Sequence, residues 1–289
     1  MFLIGETRYR MLLAALFRLW GRKLIVINID YMGLGNRLKM MAVYDVNWGL
    51  DDTTMYWNRV GWVNATFGEL FTIDGVRGFR EVPITVKRWM VPVIAHPSKD
   101  YYWHRGYWRF DAGDELPESY RIERRGRVFP AVDFLYERTP SPYLERYKAF
   151  FQRLRPSAEV ASRVAEVPID ENVVCVQVRL TVDENDRANV PRIETYLRYM
   201  RAYPPDTRFF ISTLDASFSD VFRREFPGRI LELPGKRYRS MVDATADLVL
   251  LGRGGDYIVS GASSFGEIAW WLGGCRQRVT EIPAEVFNT

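Results

Sequence analysis

Polar residues that suit phosphate binding follow four predicted strands in the second half of the chain. Because the carboxyl ends of parallel strands meet at one edge of a sheet, we expect these residues to line a single crevice. A guanidinium, an ammonium group, hydroxyls and a helix N-terminus together suit a diphosphate, although a Ser-capped helix start is the simpler interpretation of the last group taken alone. The four groups are Arg179, then Thr213 and Asp215, then the basic residues 236–239, and last the small residues 260–264 (SGASS).

A second predicted ligand-facing turn lies near the start of the chain, after the apolar run 23–30 (KLIVINID). The order of strand, glycine-rich turn and helix presents backbone N–H groups at the carboxyl edge of a sheet. The turn lacks the third glycine of the dinucleotide fingerprint, which argues against a dinucleotide oxidoreductase. A tight turn without a ligand is the structural alternative. The residues of this turn are Gly33, Gly35, Asn36 and Arg37, and the predicted helix spans residues 38–46.

Composition narrows the class of protein. The chain has 289 residues, of which 47% are hydrophobic and 26% charged. Such values are typical of globular proteins, and this length accommodates two domains of about 150 residues each. Two cysteines exclude a disulfide framework, and two histidines leave little for a histidine-based metal site or catalytic triad. The net charge of +4 suits a small anionic ligand and falls short of a nucleic-acid-binding protein.

Residues 11–20 (MLLAALFRLW) are apolar except for Arg18. This run is half as long as the roughly 20 residues that span a bilayer, so it predicts a helix packed on the protein. A basic start before an apolar run also has the outline of a secretory signal, but no clean small-residue cleavage site follows. We therefore expect a cytoplasmic protein, with contact between this helix and the surface of the inner membrane as the alternative.

The alternation of strands and helices predicts two α/β domains, residues 1–155 and residues 156–289. Residues 143–154 follow helical spacing, and Pro156 and Ser157 then break and cap the chain. After this point the alternation of strands and helices begins again, as it does in a second doubly wound, Rossmann-like unit. The run 173–178 (VVCVQV) in the second domain has the composition of a central parallel strand.

Three motifs occur in the chain in a defined order. The first is the turn Gly33-Leu34-Gly35-Asn36-Arg37, and the second is Gln177-Val178-Arg179 at a strand end. The third joins a helix containing Asp247, an apolar strand that begins at Asp256, and the loop Ser263-Ser264-Phe265. Together they resemble the GDP-fucose-dependent fucosyltransferases, a family that includes the nodulation, α1,2-, α1,6- and protein O-fucosyltransferases. The resemblance covers the N-terminal turn and most of residues 170–274.

The resemblance implies a GT-B fold, in which two Rossmann-like domains face each other across a cleft. The C-terminal domain would bind the donor and the N-terminal domain the acceptor, a glycan or oligosaccharide. It also implies an inverting transfer of L-fucose from GDP-β-L-fucose without a metal or any other cofactor. No nucleic-acid partner is expected.

The resemblance also assigns roles to individual residues. Arg179 would bind the β-phosphate and stabilise departing GDP, where negative charge grows as the glycosidic bond breaks. Asp247 would accept hydrogen bonds from guanine, and Ser263 and Ser264 would hold phosphate. The other expected donor contacts are Gln177 and Phe265, then Thr213 and Asp215 beside the nucleoside, and Gly33, Gly35, Asn36 and Arg37 across the cleft.

One departure from the family motif concerns proton transfer. Gln177 occupies the position of the family's histidine, and an amide can position a substrate but cannot act as a base. An inverting transferase benefits from a general base that takes the acceptor's hydroxyl proton. Asp183, Glu184 and Asp186 are all candidates for that base. The same fold acting on another nucleotide sugar, and a nucleotide-binding module without activity, are the two remaining interpretations.

Overall fold

The structure is a computed structural model that describes residues 23–27, 33–59, 63–84, 121–124, 127–130, 141–179, 191–261 and 263–282. The chain divides into two compact units, residues 1–68 with 72–155, and residues 69–71 with 156–289. The short segment 69–71 belongs to the second unit because Ser157 holds it by two hydrogen bonds. The Ser157 amide donates to the Leu70 carbonyl (2.9 Å), and its hydroxyl donates to the Glu69 carbonyl (2.9 Å).

A three-stranded parallel sheet, ordered β1-β2-β4, organises the described part of the first unit. Helix α1 follows β1 and begins at Leu34, earlier than the predicted residue 38. The Arg37 amide donates to the Gly33 carbonyl (3.3 Å), which closes the first turn of the helix over the predicted glycine turn. In chain order the elements are β1 (Lys23–Ile27), α1 (Leu34–Trp48), β2 (Thr53–Asn58), α2 (Phe67–Leu70), β3 (Phe71–Ile73), β4 (Arg80–Ile84), β5 (Arg121–Arg124), β6 (Arg127–Pro130), α3 (Ser141–Arg153) and β7 (Leu154–Pro156).

The second unit contains a five-stranded sheet in which every strand is parallel to its neighbours. The strand order is β10-β9-β8-β11-β12, and a helix connects each strand to the next in sequence. This is the Rossmann-like arrangement predicted for the C-terminal half. Its elements are α4 (Ala158–Ala165), β8 (Val174–Gln177), α5 (Ile193–Arg201), β9 (Phe209–Ser212), α6 (Ala216–Glu225), β10 (Ile230–Leu231), α7 (Met241–Leu251), β11 (Asp256–Ser260), α8 (Ser264–Leu272) and β12 (Arg278–Ile282).

The core of this unit covers both faces of the sheet. On one face, Tyr196 of α5 and Phe222 of α6 pack in one cluster with Val176 and Ile258 of the strands. Helix α7 covers the opposite face, where it contacts β8 and β9. All four residues of β8 are buried, which explains its nearly continuous apolar composition. Each fully buried Val, Ile or Phe side chain contributes about 1.5–3 kcal/mol to stability.

Within the described residues, no helix is long and apolar enough to cross a bilayer. The helix predicted for residues 11–20 lies outside the described residues, so its packing and its contact with a membrane surface remain predictions. The candidate bases Asp183, Glu184 and Asp186 also lie outside them.

Two glycines allow α7 and α8 to meet at their C-terminal ends. A Cβ atom on Gly252 would lie 2.6 Å from the Ala269 carbonyl oxygen and 2.9 Å from the Gly273 nitrogen. A Cβ atom on Gly273 would in turn collide with the Gly252 carbonyl. Because these neighbours are backbone atoms, no change of rotamer can make room for a side chain at either position.

Replacing Gly252 with alanine should lower the free energy of unfolding by about 1–3 kcal/mol, because the added methyl group would push two packed backbones apart. Urea-induced unfolding followed by circular dichroism measures this change. The matched control is Gly33→Ala, where φ is −65° and no described atom lies within 4 Å of the new methyl group. That variant introduces no clash and replaces an N-cap residue by a poorer one, so it should cost at most about 1 kcal/mol. Equal losses in the two variants would contradict the packing role of Gly252.

Candidate functional site

The strand order of the second unit creates a crevice between β8 and β11. From β8 the chain continues outward to β9 and β10, then crosses back and places β11 and β12 on the other side of β8. At such a switch in direction the connections leave the sheet on opposite sides, and ligands bind at the carboxyl ends of the two strands. Arg179 follows the end of β8, and Ser260 ends β11. The two predicted phosphate-binding groups therefore flank the same crevice.

Ser263 caps helix α8, as the simpler interpretation of the loop expects. Its backbone is extended (φ −92°, ψ 103°), and its Oγ accepts a hydrogen bond from the Gly266 amide at 3.2 Å. Ser264 and Phe265 are the first residues of the helix and are half-buried. The cap uses Ser263 as an acceptor, so its hydroxyl proton can still be donated. The first backbone N–H groups of α8 add the donors that commonly bind phosphate.

Gln177 lies beneath the first turn of α8. A Cβ atom on Gly266 would meet Val259 and would lie 3.2 Å from the Gln177 Oε1 atom, so glycine lets the helix lie directly on the strands. Gln177 is 6% exposed, and its Oε1 atom has no hydrogen-bond partner among the described residues. A buried acceptor without a partner is costly, and a donor group on a ligand would relieve that cost.

Asp247 occupies the second turn of α7 and is 2% exposed. Its Oδ2 atom accepts hydrogen bonds from the Ser212 hydroxyl (2.7 Å) and from the Lys236 ammonium (2.5 Å). Its Oδ1 atom is buried and has no partner among the described residues. Burial raises the pKa of Asp247 above its ordinary value, while Lys236 and Ser212 work in the opposite direction. One carboxylate oxygen is thus fixed by the protein and the other is available as an acceptor.

The end of β9 brings Thr213 and Asp215 to the same edge of the sheet. Thr213 is buried, and its Oγ1 atom has no partner among the described residues. Asp215 is exposed and caps helix α6 by accepting from the Ser217 amide at 2.8 Å and the Ser217 hydroxyl at 2.7 Å. These hydrogen bonds lower the pKa of Asp215. Thr213 is therefore the better placed of the two for a buried ligand contact.

Two residues of the basic segment 236–239, Lys236 and Arg237, bind carboxylates of their own unit. Lys236 binds Asp247 and also donates to the Thr213 carbonyl at 2.9 Å. Arg237 binds Asp243, which is fully buried, through its amide (2.7 Å) and its guanidinium (3.0 Å). Both cations thus compensate buried carboxylates. Two acids four residues apart in the otherwise uncharged helix MVDATADLVLL are the sequence signal that could have revealed this pairing.

The N-terminal turn belongs to the first unit. Gly33 is the N-cap of α1, and Gly35 and Asn36 lie in the first turn of the helix. Arg37 is fully buried, with its guanidinium carbon 5.0 Å from the centre of the Trp57 ring. The stacking shows that Arg37 is part of the packing of its own unit. The contact of this turn with a donor remains a prediction.

The described units have the α/β fold of the GT-B class, and solved fucosyltransferases share this fold. The fucosyltransferase NodZ from Bradyrhizobium has a TM-score of 0.53 and 19% identity, covering 86% of this chain and 92% of that chain. NodZ α-1,6-fucosyltransferase soaked with GDP-fucose has a TM-score of 0.51 and 17% identity, with 87% and 92% covered. POFUT1 in complex with GDP-fucose has a TM-score of 0.51 and 12% identity, with 92% and 98% covered.

These similarities confirm the predicted fold class, and they confirm the resemblance to fucosyltransferases at the level of the fold. Neither the protein-family models nor the curated proteins give a match to the sequence. The roles predicted for single residues therefore depend on the geometry of this chain itself.

Replacing Lys236 with methionine should lower the free energy of unfolding by about 3–5 kcal/mol near neutral pH, because Asp247 would remain charged and buried without its cation. Chemical denaturation monitored by tryptophan fluorescence measures this loss. The matched variant Lys236→Met with Asp247→Asn removes both charges and should recover most of the loss. A single variant as stable as the wild type would show that the pair is not needed.

The loss in Lys236→Met should also shrink as the pH falls. The folded-state pKa of Asp247 lies above its ordinary value, so between those two values the folded chain binds more protons than the unfolded chain. Stability from this group therefore falls as pH rises through that window. The Lys236 ammonium lowers the folded-state pKa of Asp247. Removal of Lys236 therefore raises that pKa further and widens the pH window between the folded and unfolded values. A loss that is independent of pH would contradict the assignment to Asp247.

Proposed function

We propose that this chain is a glycosyltransferase that moves L-fucose from GDP-β-L-fucose to a glycan or oligosaccharide acceptor. The observation that carries the proposal is that Arg179 and the loop 260–264 follow neighbouring strands and flank the same crevice at the switch point. That switch point occurs in a fold shared with NodZ and POFUT1, whose solved structures include GDP-fucose. The fold favours glycosyl transfer as the reaction, and the crevice between β8 and β11 is the expected binding site of the donor.

The charges and donors of the crevice suit a departing diphosphate. As the bond between C1 of fucose and the β-phosphate oxygen breaks, negative charge grows on GDP. A guanidinium at Arg179 and the N–H groups at the start of α8 stabilise that charge more in the transition state than in the ground state. This preference for the transition state is what accelerates the reaction.

The base of the nucleotide would lie toward β9. The Oδ1 atom of Asp247 and the Oγ1 atom of Thr213 are buried acceptors without partners among the described residues. Guanine offers two donors on one edge, the N1–H and the 2-amino group, and both can be accepted by a carboxylate and its neighbours. An adenine or uracil base lacks this pair of donors. We therefore expect GDP to be preferred over ADP and UDP.

The transfer itself would be a direct displacement with inversion. The acceptor hydroxyl oxygen forms a bond to C1 of fucose while the bond from C1 to the β-phosphate oxygen breaks and GDP leaves. The hydroxyl proton passes to a base, for which Asp183, Glu184 and Asp186 are the candidates. No metal is required in this scheme, because Arg179 and the helix N-terminus supply the positive charge.

A nucleotide-binding module without activity is the second candidate function. It is favoured by Gln177, whose buried amide occupies the position of the family's histidine and cannot take up a proton. Transfer of a different sugar from another nucleotide is the variant of the main proposal that keeps the same crevice. A cytoplasmic location, with residues 11–20 on the surface of the inner membrane as the alternative, remains part of the proposal.

Titration calorimetry with GDP, ADP, UDP, dTDP, GDP-fucose, GDP-mannose and NAD should give binding for the guanine nucleotides alone. Slow hydrolysis of GDP-fucose should accompany its binding if the chain is a transferase. Binding of GDP without any hydrolysis or transfer would favour the inactive module. Binding of NAD or UDP in place of GDP would reject the proposed donor class.

Arg179→Ala should lower the turnover number for donor hydrolysis or transfer by about 10²–10³-fold, because it removes a charge that stabilises the leaving diphosphate. It should also weaken GDP binding, while the melting temperature stays near that of the wild type. Arg208→Ala is the matched control. Arg208 binds Asp170 at 3.0 Å on an exposed surface at the amino edge of the sheet. Equal activity of the two variants would remove Arg179 from the site.

Incubation with EDTA followed by desalting should leave the rate of transfer unchanged. Among the described residues, no group of three or more His, Cys, Asp or Glu side chains is arranged to hold a metal ion. The rate measured with and without added Mg²⁺ or Mn²⁺ completes the test. A loss of activity that either ion restores would contradict the metal-independent mechanism.

A further inference from the structure

The ammonium group of Lys236 joins two residues that have buried oxygens without partners at the carboxyl edge of the sheet. Its Nζ atom donates to the Asp247 Oδ2 atom at 2.5 Å and to the Thr213 carbonyl at 2.9 Å. The Asp247 Oδ1 atom and the Thr213 Oγ1 atom are buried, and neither has a hydrogen-bond partner among the described residues. One cation thus ties the carboxylate on α7 to the backbone at the end of β9.

Lys236 itself is held in the interior of the unit. Its side chain is 6% exposed, as little as expected of a lysine whose charge is fully paired. The ring of Tyr238, two residues further along the same loop, has its centre 5.1 Å from the Nζ atom and adds a cation–π contact. We therefore expect a nucleotide to contact the residues that Lys236 holds, and not Lys236.

Two hydrogen bonds to one oxygen of Asp247 fix the direction of the other oxygen. The Oδ2 atom accepts from the Lys236 ammonium and from the Ser212 hydroxyl, at 2.5 and 2.7 Å. Rotation of the carboxylate about its Cβ–Cγ bond would break both bonds, so the Oδ1 atom keeps one direction. Burial raises the pKa of Asp247, and the Lys236 ammonium opposes that rise, which favours the ionised form that only accepts hydrogen bonds.

We propose that Lys236 is a positioning residue that sets the selectivity for guanine without contacting the nucleotide. It holds the Asp247 Oδ1 atom in one direction for the N1–H and 2-amino groups of the base, and it fixes the backbone that carries the Thr213 hydroxyl. The inference rests on the proposed function, because it takes a guanine nucleotide as the ligand. It gives Lys236 a role in the recognition of the base, whereas a lysine after a strand end is usually expected to bind phosphate.

The test compares GDP with inosine diphosphate, which lacks only the 2-amino group, and with inorganic pyrophosphate, which lacks the nucleoside. In titration calorimetry the wild type should bind GDP about 10- to 100-fold more tightly than inosine diphosphate, because a hydrogen bond to a charged acceptor is strong. In Lys236→Met this preference should fall below about threefold, because the acceptor loses its fixed direction and its charge. The affinity for pyrophosphate should stay near the wild-type value.

The matched control is Arg163→Met. Arg163 pairs with the other buried carboxylate of α7, Asp243, at 3.1 Å, and it donates to the carbonyl of Pro234, in the same loop as Lys236, at 2.8 Å. This variant should lose stability but keep the wild-type preference for GDP over inosine diphosphate. An equal fall of that preference in both variants would overturn the inference, because it would show a general effect on α7 and its preceding loop.

A second variant keeps the test decisive if Lys236→Met does not fold. Lys236→Gln leaves a polar group beside Asp247, but its amide carries no charge and is one bond shorter than lysine, so it cannot reach both partners of the ammonium. The preference for GDP over inosine diphosphate should fall about 3- to 10-fold in this variant. A wild-type preference in Lys236→Gln would overturn the inference.

The outcomes separate the inference from the function on which it rests. If the wild type binds neither GDP nor inosine diphosphate, the proposed function fails and the inference fails with it. If the wild type binds GDP and hydrolyses GDP-fucose, but Lys236→Met keeps the wild-type preference for GDP, the function stands and the positioning role of Lys236 is overturned. A preference that falls in Lys236→Met and not in Arg163→Met supports the inference, whether or not transfer to an acceptor is detected.

Discussion

The burial of β8 on both faces is the constraint on which the second unit depends. A strand covered on both sides cannot hydrogen-bond to water, so its backbone groups must pair with strands on either side. β9 and β11 provide that pairing, and α5, α6, α7 and α8 cover the sheet that results. The pairing can stop only where the strands reach the surface. That point is the carboxyl end of β8, which Val178 and Arg179 follow.

The second unit also buries two carboxylates in one helix. Asp243 and Asp247 lie one turn apart on α7, and each is neutralised by a cation from the segment that precedes the helix. Their environments differ. Burial opposes the ionisation of Asp243, but hydrogen bonds from Arg237 and Arg163 outweigh it and hold its pKa below the ordinary value. Asp247 has one ammonium and one hydroxyl, and its pKa remains raised. Asp243 is fully compensated and has a structural role. Asp247 is only partly compensated, and its Oδ1 atom is available as a hydrogen-bond acceptor.

Local pattern was enough to predict much of this fold. The apolar run at β8, the helices α5, α6 and α7, and the small-residue loop before α8 all have short-range signals in composition and spacing. The polar residues at the strand ends could be assigned to one edge because parallel topology alone requires it. Strand β12 was not predicted, because its sequence RVTEI is short and only its last residue is buried.

The roles of single side chains were harder to predict, since they depend on distant partners. The two acids of α7 indicate that buried carboxylates need cations, but the sequence does not show that Lys236 is the cation that binds Asp247. The stacking of Arg37 on Trp57 likewise joins residues on a helix and the following strand. Sequence indicates which residues are polar, whereas the three-dimensional contacts decide which of them remain available.

The close contact between Gly252 and Gly273 restricts the relative position of helices α7 and α8. Backbone touches backbone where α7 and α8 end, so the two helices cannot slide along each other without a clash. Asp247 belongs to the first helix and Ser263 caps the second. The packing of α7 against α8 therefore fixes the separation of Asp247 and Ser263 in the protein without a ligand. A molecule that contacts both residues would therefore have to match their separation by its own length.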